Sequence, residues 1–515
     1  MLAALQNKEF LYEQSAFPEV EYSFKHALTQ EVAYSSVLIE QRKVLHERTA
    51  QAIEGLYHSK LEDHYSDLAH HYSRSSNIPK AVEYLHLAGQ QAVQRSAYGE
   101  AIEHLTAALE LLTALPETTE RARQELLLRT TLGPALMATK GWSAPEVEVT
   151  YTRARDLCEQ VGDRAQLFQV LLGLRLFYNV RAEFQKVRQL SEQLLTFAQR
   201  EQDPARLLEA HRSLGTTLFW LGELTTAQAH LTQGLAWYDP QQHRSHALLY
   251  GQDPRIACLT YAAWILWFQG YPEQAQQKNN EALRFARELT HPYSLAWTLG
   301  LAACLAQFCQ EKRLTQEYAE AVITLSHEYG FLGWAAYGTI LRGWALAEQG
   351  RGKEKLAQIH QGLAAYRTTG SVQVQPYFLA LLAATYGEVG QAEKGLGVLA
   401  EAMAIMDKTG ERFYEAELYR LKGELTLQTS IQSLESRVKE AEACFQKAIE
   451  IARKQSAKSL ELRAVMSLAR LWQQQGKKAE AHQLLAEIYT WFTEGFDTKD
   501  LQEAKALLDE LAEAR

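Results

Sequence analysis

The feature that most limits the folds open to this chain is a pattern that recurs about every forty residues. It is clearest in SLGTTLFWLGELTTAQAHLTQGLAWYDP, where Leu214, Gly215, Ala227 and Leu231 flank the turn glycine Gly222. Small residues let two antiparallel helices approach closely, a glycine turns the chain between them, and leucines fill the seam. The corresponding positions of the second helix are Val187, Ala227, Ala275, Gln316, Lys355, Gly395, Ala441 and Ala481. Such a chain of 515 residues escapes the size limit of a single compact core, because each repeat packs only on its neighbours.

The order of large, small and turn residues in this stretch resembles the tetratricopeptide consensus. The period is longer than the roughly 34 residues of the standard motif. It predicts helices about half a turn longer, as in the MalT-like repeats of bacterial signal-transduction ATPases. We therefore expect an all-α fold, a tetratricopeptide-type (MalT-like) superhelical solenoid of antiparallel helix pairs.

The first fifty or so residues do not follow the repeat. FLYEQSAFPEVEYSFKH predicts two short extended segments, 10–12 and 21–24, on either side of a loop that holds Pro18, followed by a helix from Leu28. This pattern predicts a small β-hairpin wing at the amino end. The predicted domains are therefore 1–55, the truncated end of a winged helix, and 56–515, the repeat solenoid.

The segment FKHALTQEVAYSSVLIEQRKVLHERTAQAIE resembles the end of the winged-helix region in predicted STAND-type AAA ATPases, often fused to adenylate or guanylate cyclase domains. Later stretches such as TGERFYEAELYRLKGEL are similar to the carboxy-terminal half of that family, so the resemblance covers essentially the whole chain. It implies that His26 corresponds to a histidine near the bound nucleotide, although an aspartate follows that histidine in the family and Ala27 follows it here. Because Met1 falls inside the expected winged helix, we expect the chain to be part of a larger architecture.

No phosphate-binding loop of the pattern GxxxxGK[ST] occurs in the sequence, since GRGKEK and QGKKAE lack its first glycine and its hydroxyl. The chain is therefore expected not to be an enzyme by itself and to hold no cofactor and no metal.

The charge pattern bears on partners and location. The net charge of −9 comes from 62 acidic and 53 basic residues spread evenly, which argues against direct binding of nucleic acid. The apolar runs 257–268 and 295–308 are shorter than the ~18 residues of a membrane span. The amino end lacks the apolar core of a secretory signal, so a cytoplasmic location without membrane contact is expected.

Aromatic residues provide the main candidate site. They fall on positions of the first helix that line the concave groove of tetratricopeptide folds, where they would offer a large contact area. The candidates are Phe219, Trp220, Trp264, Trp267, Phe268, Phe308 and Trp344. The alternative is that the longer repeats pack these rings between layers as core.

A second candidate is the polar connector DPQQHRSHALLYGQDP, because long loops on a rigid scaffold often carry binding groups. Its candidate residues are His243, Arg244, His246, Tyr250 and Asp253. The alternative is a loop ordered by its own turns and caps.

These observations predict a non-catalytic sensor or scaffold module of a bacterial signal-transduction ATPase or cyclase system. Its expected partners are a protein or peptide, with an ATPase or cyclase domain among them, or a small effector. One alternative is that the chain belongs to an ATP-binding cyclase or transcriptional-regulator polypeptide whose catalytic domains lie upstream. Another is a self-associating structural scaffold.

Overall fold

The computed structural model describes residues 2–15, 20–243, 245–247, 252–346, 352–430 and 433–513. Within these residues the chain is almost entirely helical, with two short strands near the amino end. Contacts between residues divide it into two compact units.

The first unit comprises Met1–Arg95 and Glu100–Leu128. Its β1 and β2 form the predicted hairpin, an antiparallel pair in which Leu11 lies opposite Phe24. A 3-10 turn, Leu61–His64, precedes α4. The elements are α1 Leu2–Asn7, β1 Leu11–Ser15, β2 Val20–Phe24, α2 Ala27–Ser36, α3 Ile39–Leu56, α4 Tyr65–Ser73 and α5 Ile78–Gln94. The winged-helix assignment of residues 1–55 stays a prediction.

The second unit comprises Ser96–Gly99 and Arg129–Arg515. Helices α6, Tyr98–Leu112, and α7, Thr119–Lys140, each contain residues of both units. The helices that follow are α8 Pro145–Val161, α9 Arg164–Val180, α10 Phe184–Glu201, α11 Pro204–Trp220, α12 Leu224–Ala236, α13 Pro240–His243, α14 Pro254–Phe268, α15 Pro272–Leu289, α16 Pro292–Phe308, α17 Lys312–Tyr329, α18 Leu332–Ala345, α19 Gly352–Thr368, α20 Gln375–Glu388, α21 Ala392–Thr409, α22 Glu415–Gln428, α23 Leu434–Gln455, α24 Lys458–Gln474, α25 Lys478–Tyr489 and α26 Lys499–Glu513.

Consecutive helices of the second unit pack as the pairs that the repeat predicts, for example α11 with α12 and α18 with α19. A Cβ atom on Gly215 would lie 2.8 Å from the Leu231 side chain and 3.1 Å from the Ala227 carbonyl oxygen. Glycine is therefore required there by the close approach of α11 and α12. Gly222 adopts φ +80° between these helices, a conformation that glycine accepts without strain.

The predicted repeat phase agrees with burial at seven of its eight positions: Val187, Ala227, Ala275, Lys355, Gly395, Ala441 and Ala481 are buried. Gln316 is the exception, because it is half-buried while its neighbour Thr315 is fully buried. The predicted packed position of the repeat is thus wrong by one residue in α17, where Thr315 occupies it. The threonine hydroxyl donates 2.9 Å to the Glu311 carbonyl oxygen of its own helix, which lets this small polar side chain occupy the packed position.

The first helices of the repeats form an inner layer. Every residue from Leu207 to Trp220 in α11 is buried, and so is every residue from Ile256 to Phe268 in α14. The second helices are amphipathic and bury one stripe only, as α15 does with Ala275, Ala282 and Ala286. The core of the second unit therefore lies along the inner helices.

Successive turns of the superhelix in the second unit contact each other. The Ser459 hydroxyl donates to the Trp267 carbonyl oxygen, 192 positions earlier in the chain. The Val372 amide donates to the Val180 carbonyl, and the Arg412 amide donates to the Trp220 carbonyl. Both pairs are separated by the same number of positions in the chain. About five repeats thus complete one turn, and the inner face of each turn is covered by the next.

None of the helices in the described residues combines the length and the apolar character that crossing a bilayer requires.

Candidate functional site

Six of the seven candidate groove aromatics lie in the core. Phe219, Trp220, Trp264, Trp267, Phe268 and Phe308 are each at most 3% exposed. The rings of the later residue Phe413 lie 5.2 Å from Phe219 and 5.0 Å from Trp220, centroid to centroid. The prediction that these six rings line an open groove is therefore wrong. The rings pack as core instead, because the next superhelical turn covers them.

Trp344 differs from the other six, since it is half-buried at the edge of the core. It borders a cleft lined largely by polar and charged residues. Most charged residues that line this cleft already form ion pairs, for example Arg420 with Glu417 at 2.7 Å and Arg463 with Asp500 at 2.8 Å. A ligand would have to compete with these internal ion pairs.

The described connector residues face inward. His243 and His246 are buried, and His243 Nδ1 accepts a 2.9 Å hydrogen bond from the Asp239 amide. Asp253 is fully buried and caps α14 by accepting from the Ile256 amide at 3.1 Å. Arg244 and Tyr250 lie outside the described residues. For the three described candidates the geometry favours a loop ordered by its own caps.

His26 is exposed at the N-cap of α2 and makes no capping hydrogen bond through its side chain. No contact of this residue indicates what it binds, so its role near a nucleotide stays a prediction.

A different site emerges inside the second unit. A cavity lies among helices α7, α9, α11, α14, α16 and α18. The segment after α19 closes one side, since the amides of Val372 and Gln373 donate to the Val180 carbonyl at the end of α9. The centres of water-sized spheres can occupy about 90 Å³ of this cavity, which is several times the space that one water molecule needs.

Nine aromatic side chains line the cavity. Trp142 stacks on Tyr293 at 5.8 Å between centroids and lies 5.9 Å from Trp297. Trp297 in turn meets Trp334 edge to face at 5.5 Å. Trp297 and Trp334 are half-buried whereas Trp142 and Tyr293 are buried, so the cavity opens to solvent on the side of Trp297 and Trp334. The remaining aromatic lining residues are Trp220, Tyr261, Phe331, Tyr337 and Tyr366.

Arg175 also lines the cavity and is 1% exposed. Its Nη2 donates to the Ser213 carbonyl oxygen at 2.8 Å, to the Thr217 hydroxyl at 3.0 Å and to the Thr216 hydroxyl. Burial, followed by repulsion from Arg212, lowers the pKa of Arg175 to about 9. The guanidinium is therefore still cationic at neutral pH.

A buried ion pair lies beside Arg175. Arg212 Nε donates to Glu209 Oε2 at 2.7 Å, and His246 Nδ1 lies 3.0 Å from Glu209 Oε1. Burial alone would raise the pKa of the Glu209 carboxyl, but attraction from Arg212 and the contact with His246 outweigh it and hold the pKa below its usual value. Glu209 is therefore a carboxylate, and it links the connector to the cavity through Arg212.

Hydrogen-bonding groups without partners are concentrated at this cavity. In the described part of the chain, 14 buried side-chain nitrogen and oxygen atoms lack a partner, and seven of them belong to residues that line the cavity. They are Trp142 Nε1, Arg175 Nε, Asn179 Oδ1, Arg212 Nη2, Gln252 Nε2, Trp297 Nε1 and Gln373 Nε2. Buried polar groups are normally satisfied, so these atoms are available to a ligand.

Sequence reasoning identified only Trp220 of this lining. The signal that could have found Arg175 is its place in LFQVLLGLRLFYNV, where an arginine interrupts an otherwise apolar helix. A cation at such a position has to meet an acceptor inside the fold. Trp142 and Trp297 come from distant repeats, and no local pattern brings them together.

Comparison with protein-family models gives no match. An uncharacterized protein of Rhizobium meliloti (strain 1021) is 26% identical over 453 residues, which cover 87% of this chain and 43% of that protein. The chain thus spans less than half the length of this relative.

Among solved structures, a Rap protein complexed with Competence and Sporulation Factor superposes with a TM-score of 0.52 at 13% identity, covering 73% of this chain and 98% of that one. A STAND protein with a tetratricopeptide repeat sensor from Pyrococcus horikoshii has a TM-score of 0.34 at 12% identity, over 88% of this chain and 69% of that one. A similarity with so low a TM-score supports no conclusion, and the similarity to the Rap protein concerns the fold alone. The fold and the paired helices define a helical-repeat protein of the tetratricopeptide type.

Proposed function

We propose that this chain is a non-catalytic, effector-binding sensor module, and that the cavity of its second unit is the effector site. The observation that carries the proposal is the set of seven unpartnered polar atoms around an aromatic-lined cavity. A cavity that served packing alone would be lined by apolar groups, because unsatisfied buried donors cost about 1–3 kcal/mol each. A ligand that occupies it would contact helices of two superhelical turns and so favour one arrangement of them.

A neutral apolar dye tests whether the cavity takes up a ligand. We expect N-phenylnaphthylamine to bind the wild-type protein with a rise in dye fluorescence, because the aromatic wall excludes water from the dye. Gly333→Phe should weaken this binding at least about tenfold, since Gly333 lines the cavity and its Cβ would meet no atom within 4 Å.

Gly397→Phe is the matched control. Gly397 is exposed in α21, its Cβ would also meet nothing within 4 Å, and it does not line the cavity. Equal dye affinity in Gly333→Phe and Gly397→Phe, with unchanged circular dichroism, would rule out the cavity as the binding site.

The signalling partner is proposed to be an ATPase or cyclase domain, either in another protein or in the same polypeptide. The resemblance of residues 24–54 to STAND-type ATPases supports this proposal. So does the surface of α2 and α3, where Leu28, Val32, Leu38 and Ile39 are each at least 62% exposed. Clustered exposed apolar side chains mark protein interfaces. A phosphate-binding loop in the part of the Rhizobium meliloti relative outside the match would support the assignment, and its absence there would contradict it.

A further inference from the structure

The charged residues that line the cavity are Arg175 and Arg212, both of them cations. Arg212 is paired with Glu209, both being at most 1% exposed. Arg175 forms no ion pair within the described residues, and all three of its hydrogen bonds go to neutral oxygens. These three side chains together carry one net positive charge. Taking a guanidinium out of water is strongly unfavourable unless an anion accompanies it.

The guanidinium is also only partly used as a donor. Its hydrogen bonds to the described residues all leave from Nη2, whereas its Nε has no partner. The free Nε–H can donate one charge-assisted hydrogen bond to an anionic oxygen. Arg175 Nε is therefore a buried donor left without a partner in a residue that lines the cavity.

The other unpartnered atoms at the cavity are also mostly hydrogen-bond donors. Six of the seven unpartnered atoms at the cavity are nitrogens that donate hydrogen bonds. Among them, Arg212 Nη2 and Gln252 Nε2 belong to residues in direct contact, since Arg212 Nη1 lies 3.4 Å from Gln252 Oε1. Donors that converge on one space select a ligand rich in acceptors.

From this charge and donor pattern we propose that the ligand is a small organic anion, with a planar, largely apolar body and one carboxylate or comparable acidic group. The acidic group pairs with Arg175, and the body lies against Trp142, Tyr293 and Trp297. This inference rests on the proposed function of the cavity as an effector site. It adds the ligand's charge, which the cavity's shape does not specify.

Two dyes with the same rings test the inference in the wild-type protein. Anilinonaphthalene sulfonate differs from N-phenylnaphthylamine by one anionic group. We expect the sulfonate to bind at least about tenfold more tightly at the site that Gly333→Phe blocks, because pairing with Arg175 outweighs the dehydration of the anion. Equal or weaker binding of the sulfonate at that site would overturn the anion inference and leave the proposed function intact. Loss of Gly333 dependence for both dyes would instead overturn the proposed function.

Variants of Arg175 test which residue supplies the selectivity. Arg175→Met should remove the preference for the sulfonate over the neutral dye, whereas Arg175→Lys should retain part of that preference. If all three proteins keep the same preference, Arg175 is not the anion partner. The comparison in the wild-type protein stands even if Arg175→Met fails to fold.

Discussion

At the scale of single residues, the second unit holds several ionisable side chains in its interior. The immediate surroundings of each side chain determine its pairing or its pKa. Arg212 and Glu209 neutralise each other, whereas Arg175 is left to a ligand. Glu411 is a further case: it is 2% exposed, and its Oε2 accepts from the Val374 amide at 3.1 Å while its Oε1 has no partner. Burial raises the pKa of this carboxyl to about 8.

Glu411→Gln should therefore change how stability depends on pH. Glu411 keeps its proton in the folded state up to a pH of about 8 and loses it near its ordinary pKa of 4.5 when unfolded. Between these values the wild-type protein loses stability as the pH rises, by about 1.4 kcal/mol per pH unit from this group. The glutamine variant lacks this loss, so its unfolding free energy relative to wild type should increase over that window. Urea unfolding at several pH values measures the difference.

The control for this prediction is Glu401→Gln, which removes an ion pair to Arg367 whose side chains are 44% and 49% exposed. Its effect should stay within about 1 kcal/mol at every pH. A difference between Glu411→Gln and wild type that does not change with pH would show that Glu411 is ionised in the folded protein.

At the scale of helices, glycines decide how closely a pair can pack. A Cβ on Gly362 of α19 would lie 2.6 Å from the Ile340 side chain, 2.9 Å from the Ile340 amide nitrogen and 3.0 Å from the Ala336 carbonyl oxygen. Two of these three atoms are backbone and cannot move without displacing α18. The pair α18–α19 therefore depends on this glycine.

Gly362→Ala should destabilise the protein by about 1–3 kcal/mol, because the methyl group forces the two helices apart. Gly397→Ala, at an exposed helical position with free space around its Cβ, should stabilise it by about 0.5–1 kcal/mol through helix propensity. Chemical denaturation of the two variants measures both effects. Changes of the same sign would contradict the close packing of α18 on α19.

At the scale of the second unit, contacts between superhelical turns join repeats that are far apart in sequence. Arg463 of α24 donates to the Phe308 carbonyl oxygen and, at 2.9 Å, to Asp500. Its guanidinium also lies 5.0 Å from the centre of the Trp267 ring. An open repeat array couples nearest neighbours only, whereas these contacts couple α14 and α16 directly to α24 and α26.

Arg463→Ala should lower the free energy of unfolding by about 2–4 kcal/mol, because Asp500 Oδ2 loses its cationic partner and the Phe308 carbonyl loses a buried donor. Hydrogen exchange should rise both in α24 and around Trp267–Phe308, which are joined only across turns. Arg470→Ala, which breaks an ion pair to Glu503 with side chains 44% and 40% exposed, should leave exchange at Trp267–Phe308 unchanged. Faster exchange confined to α24 in Arg463→Ala would show that the turns unfold independently.

The sequence by itself determined the helix pairs and their phase. Gly215, Gly222, Ala227 and their equivalents act on residues within one repeat, and local sterics suffice to predict them. The single error of phase, at Gln316, arose where a threonine replaced the usual small apolar residue. The β-hairpin was also predictable, because its strands are adjacent in the chain.

Only the tertiary structure decided what the inner face does. The sequence placed aromatics such as Trp264 and Phe308 on that face, but whether a face is open depends on the pitch of the superhelix. That pitch is the sum of small rotations over about five repeats. The second turn covers these rings with Phe413 and Tyr414, and the same winding brings Trp142, Arg175, Trp297 and Gln373 around one cavity. Contacts 192 positions apart leave no periodic trace in the sequence, which is why the repeats were predictable and the site was not.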